Sequence, residues 1–160
     1  MSRQVAITVF KWLVRISRFG LAALFLVTAI AKLVNISSFA QNVGELLTAS
    51  GFDPHKWSWP VTIIIIALES IIAVLLLLRR TVRAGALISA LVLLAFAGFA
   101  LFYVYALKGE PLECGCFGGI IASQLGVSTA LRNLLLLLPS IIVWIGFGVR
   151  RPGPLVNLAD

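Results

Sequence analysis

Charged side chains are scarce in this 160-residue chain, at 12% against 61% hydrophobic residues, whereas an ordinary soluble domain carries roughly a quarter charged residues. Water is therefore excluded as the solvent for most of its surface. Metal donors are equally few. Cysteine is limited to Cys114 and Cys116, histidine to His55 and methionine to Met1. A closed zinc site needs four ligands, and a cuprous site needs soft supporting ligands beyond two thiolates, so no metal site is expected. Haem or chlorophyll ligation is disfavoured too, because no histidine falls inside an apolar run. The net charge of +7 does not signal nucleic acid, since the basic residues are split among segments that border apolar runs, as membrane topology signals are.

What the chain does have is long apolar runs. A hydrocarbon core about 30 Å thick needs roughly 20 apolar residues per helical span, and four runs meet that length at about 16–34, 59–78, 84–107 and 129–149. Lys11, Arg15 and Arg18 precede the first at helical spacing and Lys32 lies near its far end, from where long basic side chains can snorkel to an interface. The length of this basic start and of the apolar run favours a retained anchor over a cleaved signal peptide.

Between the first two spans, over about 36–50, Ile36, Phe39, Val43, Leu46 and Leu47 oppose Gln41, Asn42 and Glu45. This spacing predicts an amphipathic helix lying in the membrane interface. Ser38 and Gln41 are spaced like a capping box, Gly51 is a helix stop, and Asp53-Pro54 opens a turn. Trp57 and Trp59 suit headgroup depth. Gly85 with Ser89, and Ala86 with Ala90, are small pairs that let a neighbouring helix approach closely; Pro139 predicts a kink in the last span. The fold expected is a single all-α membrane domain, a four-transmembrane-helix bundle with an interfacial helix between the first two spans.

Orientation follows from the basic residues. Arg3, Lys11, Arg15, Arg18, Arg79, Arg80, Arg83, Arg150 and Arg151 fall on one side, and Lys32, Lys56, Lys108 and Arg132 on the other. The positive-inside rule then places both termini in the cytoplasm. The loop over 108–128, with both cysteines, faces outward, into the periplasm of a bacterial inner-membrane protein, where disulfides persist.

The residues with chemical potential are few. Glu113-Cys114-Gly115-Cys116-Phe117-Gly118-Gly119 sets two thiols among glycines that permit a sharp turn. A disulfide between residues two apart closes a very small ring, which favours a labile, exchange-competent bond; buried or metal-bound cysteines are the rival readings. Glu69 lies within the second span, where an intramembrane carboxylate must be protonated, paired or facing a polar cavity. It is read as a proton carrier, a quinone-site residue or an internal clamp, with Lys32 as candidate partner. Arg132, beside Asn133 at the start of the fourth span, is a candidate thiolate stabiliser. His55 is read as a surface residue.

Taken together, Arg18, Gly20, Lys32, Phe39, Glu69, Cys114-Gly115-Cys116-Phe117-Gly118 and Arg132-Asn133 resemble the MauE branch of the DoxX-like membrane proteins over nearly the whole chain. That resemblance implies a redox-associated four-helix protein working in periplasmic thiol–disulfide chemistry, with a thioredoxin-like or secreted partner. The plan is also similar to quinone-linked oxidases such as vitamin K epoxide reductase and DsbB, which relay electrons between two cysteine pairs, whereas this chain has one. The sequence thus points to a thiol–disulfide redox protein cycling Cys114 and Cys116, with enzymatic turnover left open and a quinone as candidate second redox partner. The competing reading is a non-enzymatic accessory subunit of a larger respiratory, photosynthetic or dehydrogenase-maturation complex, and a third is small-solute transport by an oligomer.

Overall fold

A computed structural model describes residues 3–105 and 126–148. Five helices account for nearly all of them: α1 (Arg3–Val34), α2 (Ile36–Ala49), α3 (Pro54–Leu77), α4 (Val82–Tyr105) and α5 (Val127–Gly148). Four of these, all but α2, are long and apolar enough to cross a membrane, so the chain is a multi-pass membrane protein. Cys114, Cys116 and nearly all of the 108–128 loop lie outside the described residues.

Helix α1 contacts α3, α3 contacts α4, α4 contacts α5, and α5 returns to α1. The four spans close into a ring with up-and-down neighbours, and α2 packs on the outside of α3. Helix periodicity explains which side chains enter the centre. On α1 the buried stripe is Val14, Arg18, Leu21, Phe25, Thr28 and Lys32; on α3 it is Thr62, Ile66, Glu69, Ala73 and Leu76. Both advance by alternating steps of three and four, which keeps one face of an α-helix turned to its neighbour. The opposite face of α3 carries exposed Ile63, Ile64, Ile71 and Val74, the apolar side chains a bilayer solvates.

Small residues set the closest approaches. A Cβ at Gly85 would meet Leu75 Cβ and Leu76 N at 3.0 Å, so a larger residue would push α4 off the end of α3. Gly146 on α5 lies against the Val14 side chain of α1 with no room for a Cβ. Ser89 Oγ and Ser140 Oγ, both buried, hydrogen-bond at 3.2 Å between α4 and α5. The expected role of the small residues around Gly85 and Ser89 in close packing agrees with these contacts.

Several local readings are corrected. The Ser38/Gln41 pair does not cap α2, because α1 runs into α2 through Asn35 alone. Asn35 N–H donates to Ala31 O at 3.2 Å and Phe39 N–H to Asn35 O at 3.0 Å, so the backbone ladder already serves the donors a cap would satisfy. Asp53-Pro54 is a helix start, not a turn: the Asp53 carboxylate accepts from His55 N–H at 2.9 Å and Pro54 occupies the first helical position. The second span therefore begins five residues before Trp59. Gly51 does stop α2. Its φ is +81°, and Phe52 N–H to Leu47 O with Gly51 N–H to Thr48 O form the paired bonds of a Schellman motif. Helix α1 starts at Arg3 and at 1.5 Å per residue is about 48 Å long, so its basic first turns extend beyond a 30 Å hydrocarbon core.

Arg18 is not a snorkelling residue. It is 6% exposed, and its Nε and Nη2 donate to Leu76 O and Leu77 O at 2.7 and 2.5 Å. These carbonyls end α3, where a cation also meets the negative end of the helix dipole. The rings of Phe19 and Phe147 lie 5.1 and 5.5 Å from the guanidinium.

Candidate functional site

Two apolar stripes that meet would ordinarily contain no charge, yet beyond Arg18 the α1 stripe carries Lys32 and the α3 stripe carries Glu69. Lys32 is near the end of α1, and Glu69 is two turns before the end of α3. Side chains on a helix lean towards its N-terminus, so Lys32 reaches back along α1 towards the middle of the bundle. Its Nζ meets Glu69 Oε1 at 2.6 Å, with side-chain exposures of 3% and 6%. Two opposite charges at hydrogen-bond distance form a net-neutral unit that an apolar interior can hold. Phe39 of α2 places its ring 5.3 Å from Lys32 Nζ, which ties the outer helix to the same point.

The pair lines a half-enclosed cavity of about 500 Å³, within the range of small-molecule sites. All five helices contribute: Phe25, Thr28 and Lys32 from α1, Phe39 and Val43 from α2, Ile65 and Glu69 from α3, Phe96 and Phe99 from α4, and Thr129, Arg132 and Asn133 from α5. The walls are aliphatic and aromatic, with the polar groups confined to a few positions. Glu69 Oε2 is buried with no hydrogen-bond partner among the described residues. Thr28 stands beside the carboxylate, but its hydroxyl donates to Phe25 O at 3.0 Å.

The structure brings together Lys32, Glu69 and Arg132 as linings of one cavity, and it joins Lys32 and Glu69 directly. Cys114 and Cys116 lie outside the described residues; the helices flanking their segment are α4, ending at Tyr105, and α5, beginning at Val127. His55 is exposed on the first turn of α3. Sequence reading missed the cavity, including Thr28, Phe96, Phe99 and Thr129. The signal available was Thr28, four residues before Lys32 and so on its face of α1. The aromatic residues of α4 carry no such mark, because α4 is apolar all round.

No curated protein and no solved structure matches. The family model described as methylamine utilisation protein MauE matches residues 10–146, a stretch that runs from α1 through the cysteine-bearing segment to α5. The match spans every residue of the cavity and the Cys-Gly-Cys motif, and on it this chain belongs to the MauE family of membrane proteins.

Proposed function

We propose that this chain is the membrane partner in a thiol–disulfide exchange step of methylamine utilisation, with Cys114 and Cys116 as the exchanging pair at the outer membrane surface. The observation that carries the reading is the cavity site with its Arg132 lining on α5. This helix follows directly on the segment that bears the two thiols. A guanidinium near a thiol favours the thiolate, the form that attacks disulfides.

The exchange balances within two proteins. A thiolate of the pair attacks one sulfur of a partner's disulfide; a mixed disulfide forms and the partner's other sulfur leaves as thiolate. The second cysteine of the pair then attacks the mixed disulfide, releasing the partner as a dithiol after protonation and leaving Cys114–Cys116 as a disulfide. The reverse sequence oxidises the partner. The partner is a thioredoxin-like or disulfide-containing protein of the periplasm, and both termini of the chain lie in the cytoplasm by the distribution of basic residues. Lys32 and Glu69 form a buried polar core between α1 and α3.

The test is growth on methylamine as sole nitrogen source in cells lacking the native gene. Wild type is expected to restore growth, and Cys114→Ser and Cys116→Ser are expected to fail, one of them accumulating a mixed disulfide visible on non-reducing gels. Full growth with both serine variants would overturn the exchange reading and favour a non-redox accessory subunit.

A further inference from the structure

We propose that the cavity bounded by Lys32 and Glu69 binds a membrane quinol, with a ring hydroxyl donating to Glu69 Oε2. This goes beyond thiol exchange and does not depend on the cysteines. Three features of the cavity restrict the ligand.

The first is hydrogen-bond polarity. Glu69 Oε1 is taken by Lys32, whereas Oε2 is unpartnered among the described residues on a residue 5% exposed. A buried acceptor without a donor is costly, so the favoured ligand supplies an O–H or N–H. A quinone offers only acceptors to that oxygen, and its quinol offers a donor.

Charge is the second. Lys32 and Glu69 already neutralise each other. An alkylammonium would add an uncompensated cation to a low-dielectric site, and a fatty acid would set a second carboxylate against the first. The group that meets Glu69 Oε2 is therefore a neutral donor, while Arg132 lines the same cavity from α5.

Shape is the third. Phe25, Phe39, Phe96 and Phe99 line the space, and aromatic walls suit a flat ring by offset or edge-to-face packing. About 500 Å³ admits a substituted ring with a short length of tail, and because the cavity is half-enclosed a longer tail can leave it. A neutral, flat, lipid-soluble donor of this kind is a phenol or quinol, and the membrane quinol pool is its abundant source.

The experiment uses full-length protein in lipid nanodiscs, with Cys114→Ser/Cys116→Ser as background so that no thiol reacts with the probe. Decylubiquinol, decylubiquinone, a 4-alkylphenol and n-decanol are titrated under anaerobic conditions. Decylubiquinol is expected to bind one to one and at least about tenfold more tightly than decylubiquinone, the loss expected for one hydrogen bond to a charged acceptor. Phe96→Trp, which narrows the cavity without touching the ion pair, is expected to abolish binding while leaving the unfolding temperature unchanged. Glu69→Gln, whose amide both donates and accepts, is expected to remove the preference for the reduced form. Equal affinity for quinol and quinone, or binding indifferent to Phe96→Trp, would overturn the site. Binding of the alkylphenol as tight as that of the quinol would assign it to phenols outside the quinol pool, and equally tight decanol binding would reduce it to a general alcohol pocket. Growth of the exchange-deficient cells plays no part in these readings, so either proposal can fail alone.

Discussion

Lys32 Nζ and Glu69 Oε1, 37 residues apart in sequence, meet at 2.6 Å between the first and third helices, where neither side chain is more than 6% exposed. Removing one partner strands the other charge in an apolar interior, a change that costs roughly 3–5 kcal/mol, whereas replacing both by apolar residues of similar volume is often nearly neutral. Lys32→Met and Glu69→Leu are each expected to lower the unfolding temperature sharply, and the double substitution to recover most of the loss. Thermal unfolding of the four proteins in one detergent, as a double-mutant cycle, measures the coupling. Additive losses would show that the pair is not the clamp described.

The Arg18 guanidinium is expected to stabilise the end of α3. Arg18→Gln forfeits the charge-assisted bonds to Leu76 O and Leu77 O, each about 1.5–3 kcal/mol. Arg18→Lys retains the charge but lacks the planar fork that reaches two carbonyls, so its stability should fall between the two. Unfolding temperatures that rank wild type, lysine, glutamine in descending order check the cap.

At the contact of α1 with α5, Gly146→Ala is expected to cost about 1–3 kcal/mol by overpacking, because the new Cβ meets the Val14 side chain. Val14→Ala in the same protein should return part of that loss by making room. Stability of the single and double variants decides the point, and a neutral Gly146→Ala would contradict the packing.

Membrane orientation gives a further test. Alkaline phosphatase fused after Phe52, between α2 and α3, is expected to be active in a bacterial host, and the same enzyme fused after Arg80, in the turn between α3 and α4, to be inactive. The opposite pattern would invert the assignment made from the basic residues.

Much of the architecture is legible in the sequence because the bilayer imposes it. Each span needs a continuous apolar length, and the runs at 59–78, 84–107 and 129–149 correspond to α3, α4 and α5 within a few residues. Glu69 stands out for the same reason, as a carboxylate where lipid solvates none. The helix starts were harder. Asp53-Pro54 serves equally as turn or as N-cap and first residue, and only the carboxylate bond to His55 N–H decides between them. The role of Arg18 was hidden because its partners are backbone carbonyls, which no sequence distinguishes. The cavity was hidden because it depends on how five helices meet: Phe96 and Phe99 differ from the lipid-facing Phe102 only in which way α4 is rotated.

The central claim concerns Cys114 and Cys116, and their oxidation state in living cells tests it most directly. Intact cells expressing the protein are treated with a membrane-impermeant maleimide before and after brief exposure to dithiothreitol, and the labelled peptide is weighed by mass spectrometry. The exchange account predicts that both thiols are blocked before reduction and both react from outside after it, with a partner protein held in mixed disulfide by one of the two serine variants. Thiols that stay unreactive after reduction, or that are fully reduced throughout with no mixed disulfide in either variant, would contradict it.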